Sequence, residues 1–334
     1  MAQQKTATNR QKLLLTHTFH PTGWALLRER ADLELVEFDG TISAGDFQAL
    51  LRQHAPVAGV ALGATRFGTA EIEAAGGMTV VTRIGVGFDA VDVPALTAKK
   101  IPLMVAGSAN SPSVAECALF MMMALAKRGA QLDQMVKSGN WADRMSAVPF
   151  DLYGKTVLIV GFGRIGTRQA KRCLAMECKV LVCDPYVKPE VIKAAGCEPV
   201  KNLDDAIPRA DFITIHCPKT PETIGMFNAK RMKAMKRTAY LVSTARGGIV
   251  DEKALYAALT DGTLPAAALD VFDKEPPDAD NPLFKLPNLV CSPHIAGVTR
   301  EAMERMAAQA AECVLSVFDG RPRKENAVNP EVFG

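Results

Sequence analysis

A glycine-rich turn between a buried strand and a helix constrains this chain more than any other feature. Residues 157–160 (VLIV) form a short apolar, β-branched run, which is typical of a parallel strand covered on both faces. Gly161, Gly163 and Gly166 follow at once, in the G-x-G-x-x-G spacing. The first glycine permits a tight turn, the second lets a pyrophosphate approach the backbone, and the third lets helix and strand pack closely. The pattern predicts a Rossmann-type βαβ unit that binds a dinucleotide.

An acidic residue completes this pattern. Asp184 ends the next predicted strand, residues 180–183. A carboxylate there accepts hydrogen bonds from the ribose diol of adenosine and repels a 2′-phosphate, so the sequence favours NAD over NADP. Arg164, inside the turn, qualifies that preference because a guanidinium is able to meet a phosphate. The N-terminus of the following helix offers unpaired N–H groups to the pyrophosphate.

Composition excludes several classes of protein. The chain has 334 residues, of which 48% are hydrophobic and 22% are charged, and its net charge is +3. These values indicate a globular protein with room for two domains, and the charge is too small to indicate a nucleic-acid partner. The longest apolar run, residues 117–126, is too short to span a membrane. Residues 1–12 are polar and lack the apolar core of a signal peptide, so we expect a frayed tail there.

The cysteines and histidines indicate neither disulfides nor a metal. None of the eight cysteines forms a C-x-x-C pair, and most lie in apolar stretches. This usage favours reduced, buried thiols in a cytoplasmic protein over a disulfide framework or a zinc site. The five histidines are scattered, and none is spaced to share a helix face with a second ligand. We therefore predict no metal.

Strand and helix patterns alternate throughout the chain, which predicts α/β architecture with parallel sheets. The predicted strands are residues 13–16, 34–37, 57–62, 80–83, 102–105, 157–160, 180–183, 212–215, 239–243, 266–269 and 289–292. The predicted shorter helices are residues 23–30, 44–53, 69–75, 93–98, 202–206, 229–234 and 252–258. Because a large α/β segment precedes the glycine turn, we predict two Rossmann-like, doubly wound parallel-sheet domains.

Two longer helices are predicted to connect these domains. One runs from Pro112 to about Lys137, and its nearly all-round apolar surface predicts burial on all sides, as core and dimer interface. The other, residues 300–319, has apolar residues at helical spacing. We expect this last helix to return and pack on the first domain.

Three polar residues follow predicted strands, at the edge where open α/β sheets bind their ligands. Arg246 follows the strand AYLVS, and a guanidinium there is able to bind the carboxylate of a 2-oxo acid through two hydrogen bonds. Glu275 lies in DVFDKEPP, and His294 lies shortly after the strand NLVCS. A histidine that pairs with a carboxylate is able to donate a proton to a carbonyl oxygen as hydride reaches the carbon.

These segments together resemble the D-isomer-specific 2-hydroxyacid dehydrogenases. The resemblance covers about residues 55–330. The matching segments are RIGVGFDAVD (83–92), NSPSVAEC (110–117), VLIVGFGRIG (157–166), HCPKTPET (216–223), LVSTARGGIVDEKAL (241–255), AALDVFDKEPP (267–277) and SPHIAGVT (292–299).

The resemblance implies an NAD-dependent oxidoreductase that acts on a small 2-oxo acid or D-2-hydroxy acid, such as hydroxypyruvate or glyoxylate. It makes Arg246 the substrate-orienting arginine, His294 the acid/base and Glu275 its carboxylate partner. Substrate contacts are implied also at Gly85, Val86, Gly87 and Asn110. NAD contacts are implied at Gly161, Gly163, Arg164, Ile165, Gly166, Asp184, His216, Pro218, Thr223, Thr244, Ala245, Asp270 and Gly297.

The family's architecture implies that the cofactor domain is inserted within a discontinuous substrate domain. Residues 1–105 and 298–334 then form the flavodoxin-like, substrate-binding domain, and residues 106–297 form the NAD-binding Rossmann domain. The active cleft closes on its ligand. Members are typically dimers, so we expect a homodimer. From the cysteine usage, the small net charge and the short apolar runs, we expect a cytoplasmic protein without nucleic-acid or membrane partners.

Departures from two kinds of relative bear on the substrate. Leu62 stands where phosphoglycerate dehydrogenases carry an arginine for the phosphate, although Arg66 could substitute, and the chain ends at Gly334 without an added regulatory domain. Formate dehydrogenases carry glutamine at the position of Glu275. The alternatives are oxidation of D-3-phosphoglycerate or of phosphite on the same fold, and a non-enzymatic, corepressor-like protein that senses NAD.

Overall fold

The chain forms two compact units. The structure, a computed structural model, describes residues 10–334. The first unit consists of the described residues up to Asn110 together with Val298–Gly334, and the second unit is Ser111–Gly297. Each unit has its own parallel sheet with helices around it, which confirms the predicted α/β fold class.

Five parallel strands form the sheet of the first unit. They are β1 (Gln11–Thr16), β2 (Leu33–Phe38), β3 (Gly59–Leu62), β4 (Val80–Arg83) and β5 (Leu103–Met104), in the spatial order β2-β1-β3-β4-β5. The helices are α1 (Pro21–Arg28), α2 (Ala44–His54), α3 (Thr69–Ala75), α4 (Val93–Ala98) and, from the C-terminal segment, α12 (Arg300–Phe318).

Strand β1 contributes to the hydrophobic core on both faces of the first sheet. Its leucines alternate between the two faces of the sheet: Leu14 packs in one hydrophobic cluster, and Leu13 and Leu15 pack in the other. The second cluster is completed by residues of α12, among them Ala311 and Val314. The last helix therefore covers one face of the first sheet.

The frayed tail predicted for residues 1–12 is wrong at its end. Gln11 and Lys12 belong to β1, where they pair with Leu33 and Glu34 of β2. Backbone pairing with a neighbouring strand holds these two polar residues in place although their side chains give no apolar signal. Residues 1–9 lie outside the described part of the chain.

Seven parallel strands form the sheet of the second unit. They are β6 (Thr156–Val160), β7 (Lys179–Cys183), β8 (Glu198–Pro199), β9 (Phe212–Ile215), β10 (Tyr240–Ser243), β11 (Ala267–Leu269) and β12 (Leu289–Cys291), in the order β12-β11-β10-β9-β6-β7-β8. The helices are α5 (Ser111–Lys127), α6 (Gly129–Lys137), α7 (Gly166–Ala175), α8 (Pro189–Ala194), α9 (Leu203–Ala206), α10 (Ala229–Ala234) and α11 (Glu252–Thr260).

The strand order of the second unit reverses direction between β6 and β9. From β6 the chain builds outward through β7 and β8, and then returns to the other side of β6 with β9. Val160, at the end of β6, pairs with Cys183 of β7 and with Ile215 of β9, so the three strands end level. A reversal of this kind opens a crevice at the carboxyl ends of the strands, which is where doubly wound folds bind nucleotides.

The single long helix predicted from Pro112 to Lys137 is wrong. Helix α5 ends at Lys127, Arg128 has a φ of 50°, and α6 begins at Gly129. A residue in the left-handed region cannot continue a right-handed helix, so the chain changes direction there.

The burial predicted on all sides of this segment is also wrong within the chain. Met121 and Met122 of α5 are buried against the second sheet, whereas Phe120 is 64% exposed. Helix α6 has no buried residue. One face of the apolar segment is therefore core, and the opposite face is surface.

Three findings concern residues 10–334 as a whole. None of the helices in this range combines the length and the apolar character needed to cross a membrane. All eight cysteines are free. No group of three or more His, Cys, Asp or Glu side chains in this range could hold a metal ion.

Candidate active site

The three glycines of the turn have three different surroundings. Gly161 has a φ of 94°, and a Cβ on it would lie 2.7 Å from the backbone nitrogen of Cys217. A Cβ on Gly166 would lie 2.0 Å from the carbonyl oxygen of Gly161, because α7 begins directly against the end of β6. A Cβ on Gly163 would meet no atom within 4 Å. Only the middle glycine therefore leaves space that the protein itself does not fill.

The turn presents backbone donors toward this space. The N–H groups of Gly163 and Ile165 have no acceptor among residues 10–334. Ile165 is the N-cap of α7 and supplies no side-chain cap. Unsatisfied N–H groups at the start of a helix of this length form a binding site for an anion such as a pyrophosphate.

Asp184 connects the end of β7 to the glycine turn. Its carboxylate accepts hydrogen bonds from the backbone N–H of Phe162 (2.7 Å), Tyr186 (2.8 Å) and Val187 (3.2 Å). A carboxylate has about four acceptor positions, so one remains for a ribose hydroxyl. The same three hydrogen bonds fix the direction in which that position points.

Buried polar atoms without a partner in the described chain lie at the ends of β9 and β10, where Ser243 Oγ is one of three. His216 shares a hydrogen bond between Nε2 and Thr214 Oγ1 (2.9 Å), but its Nδ1 is buried without a partner in the described chain. Burial lowers the pKa of the His216 imidazole to about 3, so the ring is neutral near pH 7. The Oγ1 of Thr244 is buried and unpartnered as well. Native proteins satisfy such atoms, so those of His216 and Thr244 fit a polar ligand that lies across this edge of the sheet.

Other predicted cofactor contacts have roles within the protein. The hydroxyl of Thr223 donates to the carbonyl of Pro218 (2.7 Å) and accepts from the backbone N–H of Thr220 (2.7 Å). It therefore closes the loop that follows β9. Ala245 is buried, and its carbonyl accepts from Nη1 of Arg246 (2.8 Å).

His294 and Glu275 form a hydrogen-bonded pair. Nδ1 of His294 lies 2.6 Å from Oε2 of Glu275, and the other oxygen, Oε1, accepts from the backbone N–H of Phe272 (2.9 Å). Because an ionised carboxylate only accepts, Nδ1 carries the hydrogen, and Nε2 has no partner in residues 10–334. The side chains are 45% and 34% exposed. The free ring nitrogen is therefore accessible to a reactant, while the paired one is held in place.

Asp270 holds the segment that carries His294. It is 1% exposed, and its carboxylate accepts from the backbone N–H of Ile295 (2.9 Å) and Ala296 (3.0 Å) and from the hydroxyl of Ser292. Its carbonyl accepts from the N–H of His294 (2.8 Å). His294 has a φ of 52°, a conformation that a residue with a side chain keeps only when its surroundings impose it. Asp270, which the sequence predicts as a cofactor contact, supplies these surroundings.

Arg246 follows β10 on a turn that is pressed against the Glu275 segment. A Cβ on Gly247 would lie 1.8 Å from the carbonyl oxygen of Phe272, so the two backbones are in direct contact. Strands β10, β11 and β12 are neighbours in the sheet. The structure therefore brings Arg246, Glu275 and His294 to the same edge of the second sheet.

The predicted substrate contacts Gly85, Val86, Gly87 and Asn110 belong to the first unit. The first three follow β4, at the carboxyl edge of that sheet, and their N–H groups have no acceptor in the described chain. The carbonyl of Gly87 accepts from Nε of Arg83 (2.8 Å), and the carbonyl of Gly85 accepts from Ala106 (3.1 Å). Consecutive free N–H groups on a fixed loop form a nest for an anion.

The arrangement of the second unit matches a known family. Residues 119–296 match the domain described as "D-isomer specific 2-hydroxyacid dehydrogenase, NAD binding domain". The chain belongs to this family. The predicted membership is thereby confirmed, and NAD is the cofactor that the family's domain binds.

Individual relatives agree with this placement. A D-3-phosphoglycerate dehydrogenase of Archaeoglobus fulgidus is 43% identical over 258 residues, which are 77% of this chain and 48% of that protein. A glyoxylate reductase of Korarchaeum cryptofilum is 37% identical over 263 residues, 78% of this chain and 79% of that protein. This chain thus spans about half the length of the phosphoglycerate dehydrogenases that it matches.

A solved structure shows the same fold. D-lactate dehydrogenase of Aquifex aeolicus, in complex with NAD and lactic acid, superposes with a TM-score of 0.81 at 27% identity. The match covers 96% of this chain and 99% of that protein. Both sheets of this chain therefore have counterparts in a D-lactate dehydrogenase that was solved with NAD.

Proposed function

We propose that this protein is an NAD-dependent oxidoreductase that interconverts a small 2-oxo acid, such as hydroxypyruvate or glyoxylate, and the D-2-hydroxy acid. The observation that carries the proposal is the His294–Glu275 pair, with its free Nε2 beside the end of β12. Membership in the family supports it, as does the name of the glyoxylate reductase relative.

His294 is the proton donor in the reduction of the oxo acid. NADH held by the second unit would supply the hydride that the carbonyl carbon accepts. Nε2 of the protonated ring gives its proton to the carbonyl oxygen as negative charge develops there. Glu275 stabilises the positive ring through the 2.6 Å hydrogen bond to Nδ1 and fixes its orientation. In the reverse direction, Nε2 of the neutral ring takes the hydroxyl proton.

Arg246 orients the substrate. Its planar guanidinium binds a carboxylate, or the carboxylate together with the reacting oxygen, in a fixed direction. We propose the free N–H groups of Gly85, Val86 and Gly87 and the side chain of Asn110, all in the first unit, as further substrate contacts. The first unit is therefore the proposed substrate-binding part, and the second unit, Ser111–Gly297, is the proposed cofactor-binding part.

The second unit offers NAD a continuous row of contacts. The N–H groups around Gly163 suit the pyrophosphate, and the remaining acceptor position of Asp184 suits the adenosine ribose. The unpartnered atoms of His216 and Thr244 continue the row toward the catalytic pair. Arg164, Pro218, Ala245 and Gly297 complete the proposed cofactor set, together with Ile165, Gly166, Thr223 and Asp270.

D-3-phosphoglycerate is the second candidate substrate. The names of several relatives favour it, among them the phosphoglycerate dehydrogenase of Archaeoglobus fulgidus. Leu62 is buried at the end of β3, where it offers no charge to a phosphate. Arg66, four residues later, is exposed and is able to supply one.

A substrate panel tests the proposal. Purified protein is incubated with NADH and hydroxypyruvate, glyoxylate, pyruvate or 3-phosphohydroxypyruvate, and with NAD and D-3-phosphoglycerate, formate or phosphite, while absorbance at the NADH band is followed. We expect turnover of a 2-oxo acid, and its abolition in His294→Ala. Turnover of phosphite alone, or NADH binding without any turnover, would refute the proposed reaction and support one of the alternatives.

We propose that the protein is a homodimer assembled through the second unit. The 3-10 helix Trp141–Ala147 and its neighbours expose Trp141, Met145 and Val148, and α5 exposes Phe120. Exposed apolar surface of this extent is typical of an interface between subunits. Light scattering coupled to size-exclusion chromatography tests it, and a monomer at micromolar concentration would refute it. We keep a cytoplasmic location without nucleic-acid partners as part of the proposal.

A further inference from the structure

A lysine that the sequence analysis did not single out lies on the loop after β9. Lys219 belongs to the segment 216–223, and its ammonium is 3.0 Å from the position that a Cβ on Gly248 would take. Its Cε is 3.2 Å from the same position. The side chain therefore extends along the edge of the sheet, from the end of β9 to the turn that carries Arg246.

Backbone hydrogen bonds fix the two segments that meet at this lysine. The N–H of Gly225 donates to the carbonyl of Gly248 (2.7 Å), and the N–H of Phe227 donates to the carbonyl of Ile249 (3.0 Å). The hydroxyl of Thr223 closes the lysine's own loop. Lys219 thus stands on a defined backbone and not at the tip of an extended loop.

The ammonium of Lys219 has no counter-ion in residues 10–334. No carboxylate lies within ion-pair distance of it, and it makes no hydrogen bond there. Lys236, which follows helix α10, is paired instead with Asp211 (2.8 Å). A lysine that packs along a second segment and still lacks an anion leaves its charge available to a ligand.

The order of the strands indicates which ligand would lie next to the Lys219 ammonium. Strand β9 lies between β6, which ends in the glycine turn, and β10, which ends before Arg246. A ligand that reaches from the glycine turn to Arg246 has to cross the end of β9, where Lys219 stands. In the proposed reaction, the anionic groups on that path are phosphates, because the substrate carboxylate is bound by Arg246.

We propose that Lys219 is a phosphate-binding residue of the active site. A compact ammonium with three N–H donors suits a phosphate oxygen and needs no fixed plane. The proposal rests on the proposed function, because it places a phosphorylated ligand across the second sheet. Two sources of phosphate fit the position: the pyrophosphate of NAD and a phosphate ester on the substrate.

Direct binding of NADH tests the first source. The variants are Lys219→Met, which keeps the length and removes the charge, and Lys219→Arg, which keeps the charge. Lys193→Met on α8 is the control for removing an exposed lysine of the same unit. NADH is titrated without substrate, by protein and nicotinamide fluorescence, in low salt and in 0.5 M salt.

We expect Lys219→Met to raise the Kd for NADH about fivefold to tenfold in low salt, because one close charge pair is lost. The difference shrinks in 0.5 M salt, where exposed charges are screened. Lys219→Arg stays within about twofold of the wild type, and Lys193→Met leaves the Kd unchanged. Circular dichroism confirms that all variants are folded.

Turnover at saturating NADH tests the second source. If Lys219→Met leaves the Kd for NADH unchanged but raises KM for 3-phosphohydroxypyruvate and not for hydroxypyruvate, Lys219 binds the phosphate of the substrate. If neither constant changes while the wild type binds NADH and turns over an oxo acid, this inference is wrong and the proposed function stands. If the wild type neither binds NADH nor turns over any oxo acid, both are wrong.

Discussion

The different surroundings of Gly163 and Gly166 predict opposite effects for two similar substitutions. A Cβ on Gly166 would lie 2.0 Å from the carbonyl oxygen of Gly161, whereas ordinary van der Waals contact begins at 3.4 Å. The backbone therefore has to move by about 1.4 Å to reach ordinary contact. Gly163 has no atom within 4 Å of the same position and no positive φ.

These distances translate into free energies of unfolding and of binding. Overpacking against rigid backbone costs about 3 kcal/mol, the upper end of the usual range, so we expect Gly166→Ala to destabilise the second unit by that amount. Gly163→Ala leaves the free energy of unfolding within about 0.5 kcal/mol of the wild type. Its methyl group instead occupies space that the pyrophosphate needs, and a tenfold rise in the Kd for NADH is about 1.4 kcal/mol.

Urea unfolding with and without NADH separates the two effects. At 100 times its Kd, NADH stabilises the wild type by about 2.7 kcal/mol, and at the same concentration it stabilises a variant with tenfold weaker binding by about 1.4 kcal/mol. Gly129→Ala in α6 is the matched control, because its Cβ also meets no atom within 4 Å. The reasoning fails if Gly166→Ala unfolds at the wild-type midpoint, or if Gly163→Ala is destabilised but keeps its full response to NADH.

Three further substitutions test the site. Asp184→Ala is expected to improve the affinity for NADPH relative to that for NADH. It is also expected to lower the urea midpoint, because three backbone N–H groups lose their acceptor. An unchanged ratio of the two Kd values would place the discrimination between the cofactors elsewhere. Glu275→Gln is expected to lower kcat/KM for reduction and to leave the Kd for NADH unchanged, since His294 loses the carboxylate that orients its ring through Nδ1. An unchanged kcat/KM would exclude this role. His216→Gln concerns stability: burial holds the pKa of His216 at about 3 in the folded protein, below its ordinary 6.5, so the unfolded chain binds the extra proton as pH falls through this interval. The wild type is therefore expected to lose about 2 kcal/mol more than the variant between pH 6.5 and pH 5 in urea titrations, and equal losses would contradict the assignment.

Much of the fold could be predicted from the sequence because its apolar patterns correspond to strands and helices of the structure. The strand predicted at 80–83 and the helices predicted at 69–75, 93–98 and 229–234 have the observed bounds. Strand β8 was not predicted, since two residues are too few to show a period, and helix α8 was not predicted either. The break at Arg128 was missed because arginine carries no signal for a positive φ.

The candidate site, like the fold, could be predicted from the sequence only in part. The positions of Arg246, Glu275 and His294 after predicted strands follow from sequence, because parallel strands end at one edge of the sheet. Contacts made across the chain do not follow from it. The carboxylate of Asp270 reaches the segment 292–296, and Lys219 meets Gly248, only once β9 to β12 are assembled side by side. Each contact joins residues that are far apart in the sequence, so no local sequence pattern predicts it.

The interrupted first unit has a consequence for the order in which the protein acquires its structure during synthesis. Leu13 and Leu15 emerge from the ribosome early, but the cluster that buries them also needs Ala311 and Val314 of α12. The second unit is continuous, and its chain is complete before α12 has been made. Domains usually fold in the order of their translation. Here the strands of the first unit are synthesised before the second unit, but the core around Leu13 and Leu15 is complete only once α12 has followed it.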